Sequence, residues 1–91
     1  MPRYVIEREI PGAGQLSTAE LRAISQKSVG VLSELGPTIT WIQSFVVADK
    51  IYCIYDAPNT ELIDVHARCM GIPANRIAEV HRTIDPTTAN G

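Results

Sequence analysis

The 91-residue sequence has little of what most chemistries announce themselves with. It holds two cysteines, two histidines, one tryptophan and one phenylalanine. There is no P-loop, no G-x-G-x-x-G, no nucleophile elbow and no C-x-x-C, which removes the usual nucleotide-binding, hydrolase and dithiol signatures. "GAG" at Gly12–Gly14 is too short to cradle a phosphate. No apolar run approaches the ~18 to 20 residues of a membrane helix, and "MPRYVIEREI" carries acids where a signal peptide would be apolar, so a cytoplasmic protein is expected. Eight Lys and Arg against ten Asp and Glu give a formal charge of −2, with the basic residues scattered. That distribution speaks against a nucleic-acid partner. Cys53 and Cys69 are expected to stay reduced rather than bridged.

What is present is an ordinary globular composition, 45% hydrophobic and 20% charged, in a chain long enough for one core. A domain of this size buries only roughly 60% of the surface its unfolded chain exposes, so a second copy is an expected source of further burial.

Alternation marks the first strand: Tyr4, Ile6 and Ile10 point one way, and Arg3, Val5, Glu7 and Glu9 the other. Pro11, Gly12 and Gly14 break it. Ser17 precedes Glu20 by three residues, the capping-box spacing, and opens a helix. Its apolar face (Leu21, Ile24, Leu32, Leu35, with Ser28 and Val31) runs on until Gly36 and Pro37. "TITWIQSFVV" and "IYCIYDA", rich in β-branched and aromatic residues and separated by "ADK", predict a hairpin. Pro58 and Asn59 lead into a second helix over "TELIDVHARCM", closed by Gly71. "NRIAEVHRTI" predicts the last strand, completing a domain over residues 1–85, and residues 86–91 are expected as a frayed, flexible tail. The order β-α-β-β-α-β predicts an α+β, ferredoxin-like fold with a four-stranded antiparallel sheet and both helices on one face. The bare face would be covered by a second copy, giving a homodimer.

Two groups of residues carry possible chemistry. His66 and Cys69 lie three apart on the second helix, near the stripe defined by Ile63, Ala67 and Met70. His66 is therefore expected to face the sheet, either as a packed histidine holding one hydrogen bond or as a metal ligand. Two residues cannot fix a metal, so a site there would recruit Cys53 from the third strand or an acid from the first. On the strands, with first and last as neighbours, Glu7 and Glu9 are expected to face Glu79 and His81, a cluster suited to a divalent metal or to proton transfer. Mid-strand Cys53 reads otherwise as an inert core residue.

Three blocks, the strand opening "MPRY", the strand holding Tyr52-Cys53 and running into Ala57-Pro58, and the helix with His66 and closing Gly71, resemble a small bacterial domain-of-unknown-function family whose described member is a nickel-responsive, nickel-binding protein. The resemblance spans Met1 to about Asp85. It implies a ferredoxin-like dimer and the binding of nickel or another divalent transition metal, carried over residue by residue only to His66 and Cys53; Glu7 with His81 is the competing cluster. The leading expectation is thus a metal-binding protein in a homeostatic or storage role. The alternatives are a cofactor-independent oxygenase or isomerase, with His81 or His66 as base beside Trp41 and Tyr55 in a cavity between the dimer's sheets, and a non-catalytic accessory module.

Overall fold

The computed structural model describes residues 1–90; Gly91, the end of the expected tail, lies outside them. The chain forms β1 (Arg3–Glu9), α1 (Thr18–Leu35), β2 (Thr40–Val46), β3 (Lys50–Asp56), α2 (Thr60–Met70) and β4 (Arg76–Glu79), with short 3-10 turns at Ala13–Gln15 and Pro86–Asn90. The strands make one sheet in the order β2-β3-β1-β4, with every neighbouring pair antiparallel. This is the expected split βαβ arrangement with both helices on one face.

Local chemistry explains the boundaries. Ser17 accepts from the Glu20 amide while the Glu20 carboxylate accepts from the Ser17 amide, so α1 starts on a complete capping box. Asn59 caps α2 by accepting from the Leu62 amide at 3.0 Å. Gly71, at φ 71°, ends α2 in the left-handed region where a side chain would be strained. The loop after β1 is pinned to the β2–β3 turn: Ile10 donates to the Asp49 carbonyl and Gly14 to the Ala48 carbonyl.

The pleat divides the sheet into two faces. Tyr4, Ile6, Arg8, Ile51, Cys53 and Tyr55 are all buried, and Ala57 and Ile63 join them in the core. Arg3, Glu7, Glu9, Tyr52 and Ile54 lie on the opposite face, together with Phe45, which pairs with Tyr52. Strand β2 carries one extra residue: Trp41 pairs with Tyr55 and Gln43 with Ile54, leaving Ile42 out of register.

Strand β4 is shorter than the sequence predicts. The amide of Val80 donates to the Arg3 carbonyl, and β1 begins at Arg3, so beyond that bond no strand remains for the chain to pair with. The last five described residues, Pro86–Asn90, form an exposed 3-10 turn. No helix among the described residues is long and apolar enough to cross a membrane.

Candidate functional site

A cavity of about 80 Å³ lies between the helices and the inner face of the sheet. Its walls are mainly apolar, with Leu21 and Ile24 from α1, Trp41 from β2 and Met70 from α2. Five functional side chains reach it: Arg8 from β1, Ser28 from α1, Cys53 and Tyr55 from β3, and His66 from α2. Each is where periodicity places it. Cys53 and Tyr55 are two apart on one strand, Ser28 is on the apolar face of α1, and His66 is on the buried stripe of α2.

His66 is 2% exposed. Its Nε2 lies 3.1 Å from the Ser28 hydroxyl, and its ring is tilted against Tyr55 with centroids 5.3 Å apart. Nδ1 is buried with no hydrogen-bond partner among the described residues. An orphaned buried polar atom costs roughly 1 to 3 kcal/mol, so the second ring nitrogen is held at a disadvantage that a ligand would relieve. Burial, and then the nearby Arg8 charge, pushes the imidazole pKa down to about 4. The ring is therefore neutral at neutral pH, with one nitrogen able to offer a lone pair.

Arg8 is the residue that the reading of side-chain types passes over. It is 4% exposed, although it is charged, and its Nε donates to Cys53 Sγ at 3.3 Å while Nη1 donates to the Pro73 carbonyl at 3.3 Å. It belongs to neither ion pair found among the described residues, Arg3–Asp56 and Lys50–Glu7. Taking an ion out of water costs on the order of several kcal/mol unless an opposite charge accompanies it. The signal was in the alternation, because Arg8 has the parity of Tyr4, Ile6 and Ile10. Tyr55, also buried, has its phenol pKa raised by that burial, with Ser28 and Arg8 opposing the shift.

The strand cluster expected from Glu7 and His81 does not form. Register sets Glu7 opposite Arg76 and Glu79 opposite Tyr4, so the two acids lie on different faces of the sheet. Glu7 is held on the outer face by Lys50 at 2.8 Å and Tyr52 at 3.2 Å, partners that lower its pKa. His81 is exposed, past the end of β4. The His66–Cys69 pair does not converge either: Cys69 is exposed while His66 is buried. Of the sequence-based candidates, the fold thus brings together His66 and Cys53, in one cavity. Trp41 and Tyr55 line it too, but beneath the helices and not between the sheets of a dimer.

A family model described as nickel responsive protein SCO4226-like matches residues 4–80. The chain belongs to that family. Among solved structures, it is similar to the crystal structure of SCO4226 from Streptomyces coelicolor A3(2), with a TM-score of 0.75 and 18% identity over 90% of this chain and 99% of that one. At that identity the match shows the shared fold. No curated protein matches the chain.

The family's description raises nickel, and the donors can be tested against it. Among the described residues no three of His, Cys, Asp and Glu converge into a metal cage. Arg8, whose guanidinium does not deprotonate and cannot ligate, rests against the Cys53 sulfur. His66 and Cys53 line one cavity, but two donors are fewer than the four of a closed structural site.

Proposed function

We propose that this chain is a cytoplasmic metal-binding protein with a homeostatic or storage role, taking nickel or a similar divalent transition metal at an open site held by His66 and Cys53. The observation that carries the reading is the buried, unpartnered Nδ1 of His66 in the same cavity as the Cys53 thiol. A ligating histidine characteristically engages its other ring nitrogen in a fixed hydrogen bond, which is the role Ser28 fills at Nε2. The depressed pKa keeps the imidazole unprotonated and competent at neutral pH. Imidazole with sulfur suits nickel, copper or zinc better than magnesium or calcium. Donors from outside the chain would complete the coordination. Because the thiol must stay reduced, the reading requires a reducing compartment.

The same proposal includes a homodimer joined through the outer sheet face. Phe45 there is 52% exposed, and Val5 and Ile54 form a half-buried apolar centre beside it. Charges of both signs surround that centre, Arg3 with Asp56 and Lys50 with Glu7, which allows one patch to meet its own copy.

Calorimetric titration of reduced, metal-free protein with nickel tests the site. Saturable binding tighter than millimolar is expected, weakened at least tenfold by His66→Ala and by Cys53→Ser, and about tenfold or more by Ser28→Ala. Binding no tighter than millimolar, or affinity unmoved by both ligand substitutions, refutes it.

A further inference from the structure

We infer that the cavity also binds a small monocarboxylate, with Arg8 holding the carboxylate and the apolar walls taking the rest of the molecule. The inference begins with an uncompensated charge. Arg8 is 4% exposed, and its two hydrogen-bond acceptors, a cysteine sulfur and the Pro73 carbonyl, are not carboxylates. Those bonds use two of the five N–H donors of a guanidinium, one on Nε and one on Nη1; Tyr55, whose pKa is raised by burial and lowered in part by a side-chain hydrogen bond from Arg8, takes up to one more, which leaves at least two for a ligand. Among the described residues no Asp or Glu lines the cavity. The outer-face acids cannot serve, since Glu7 is engaged by Lys50 and Asp56 by Arg3 on the other side of the sheet. The remaining polar groups at the cavity, Ser25, Ser28, Ser44, Tyr55 and a neutral His66, bring no negative charge in their ordinary states.

A buried cation with free donors is complementary to an anion, and a guanidinium offers paired N–H groups that match the two oxygens of a carboxylate. The cavity supplies the other half of the specificity. Its volume of about 80 Å³ accommodates a few heavy atoms beyond the carboxylate, and Leu21, Ile24, Trp41 and Met70 would surround them with apolar surface. An inorganic oxyanion would satisfy Arg8 and leave those walls unused. A short aliphatic acid satisfies both. The orphaned Nδ1 of His66 is a second unsatisfied polar atom, on a residue that lines the same cavity.

This binding stands apart from the metal proposal, and it is tested on metal-free protein in the presence of a chelator. Acetate, propionate, butyrate, sulfate and phosphate are titrated by calorimetry, with the Arg8 Nε–H resonance followed by NMR in the wild type. Propionate or butyrate is expected to saturate with a Kd of about 1 mM or tighter, within the ceiling for ligands of five or six heavy atoms. Arg8→Met is expected to weaken binding about 10- to 100-fold, the range for losing a charge-assisted hydrogen bond. Failure of nickel to bind leaves these outcomes untouched. If Arg8→Met does not fold, the wild-type Arg8 resonance decides, since it must shift on saturation with the acid. No saturable binding, an unmoved Arg8 resonance, undiminished affinity in a folded Arg8→Met variant, or sulfate binding as tightly as butyrate would each overturn the inference.

Discussion

Acidification should destabilise this fold through His66 before the carboxylates titrate. In the native state the imidazole is 2% exposed and its pKa is pushed from 6.5 to about 4, first by burial and then by the Arg8 charge. The unfolded chain protonates near 6.5, so between pH 6.5 and 4 it binds more protons than the native state, and stability falls as pH falls through that window. The effect is absent above about pH 7 and complete below about pH 4. Integrated from pH 7.5 to 4.5, a difference of this size amounts to about 2.5 kcal/mol at 1.36 kcal/mol per unit. That is a large part of the ~5 to 15 kcal/mol a small domain has in hand. The carboxylates whose pKa values are lowered by partners, Glu7 beside Lys50, Glu20 beside Ser17, Asp56 beside Arg3 and Asp85 beside Thr87, lose their contribution at the acid end of this window and below it. Urea unfolding of metal-free protein across this range, compared with His66→Gln, isolates the histidine, because glutamine can still bond Ser28 and does not titrate. The stability difference between wild type and variant should move by about 2.5 kcal/mol between pH 7.5 and 4.5, in favour of the variant at low pH. Parallel pH profiles, or a His66 imidazole resonance titrating near 6.5, would refute the reasoning.

Gly14→Ala should destabilise by about 1 to 3 kcal/mol, because the new Cβ would sit 3.0 Å from Ala48 Cα and 3.1 Å from the Val47 carbonyl, and backbone must move to admit it. Gly30→Ala is the paired control: it lies within α1 with nothing within 4 Å of the added carbon, and should stabilise by about 0.5 to 1 kcal/mol in the same urea experiment. Phe45→Glu places a charge on the proposed dimer face and is expected to yield monomer by analytical ultracentrifugation with the circular dichroism unchanged; a wild type that is already monomeric at high micromolar concentration sinks the dimer proposal.

Period and punctuation made most of the fold legible. The two helix starts are local hydrogen-bonding devices, Ser17 with Glu20 and Asn59 with the Leu62 amide, and local devices can be read from neighbouring letters. The inward direction of His66 followed from its place on a helical stripe, whereas Arg8, which shares the parity of Tyr4 and Ile6, was not assigned to the core. Charge alone argued for leaving Arg8 outside. Geometry overruled charge because strand parity is rigid: Arg8 is paired with Ile51 in the β1–β3 ladder and so shares the face of Ile6.

The strand cluster was out of reach for the same kind of reason. Glu7 and His81 are brought together or kept apart by register and by the length of β4, and both depend on where β1 begins, at Arg3, a relation between segments more than seventy residues apart. The sequence by itself determined the order of elements, the two helix caps and the faces of the strands, since each depends on residues a few positions apart. Only the tertiary structure decided that Arg8, Ser28, Cys53, Tyr55 and His66, drawn from four different elements, share one cavity, and that Nδ1 of His66 is left there without a partner. Long-range register and helix packing set those distances, and neither is a property of any local stretch.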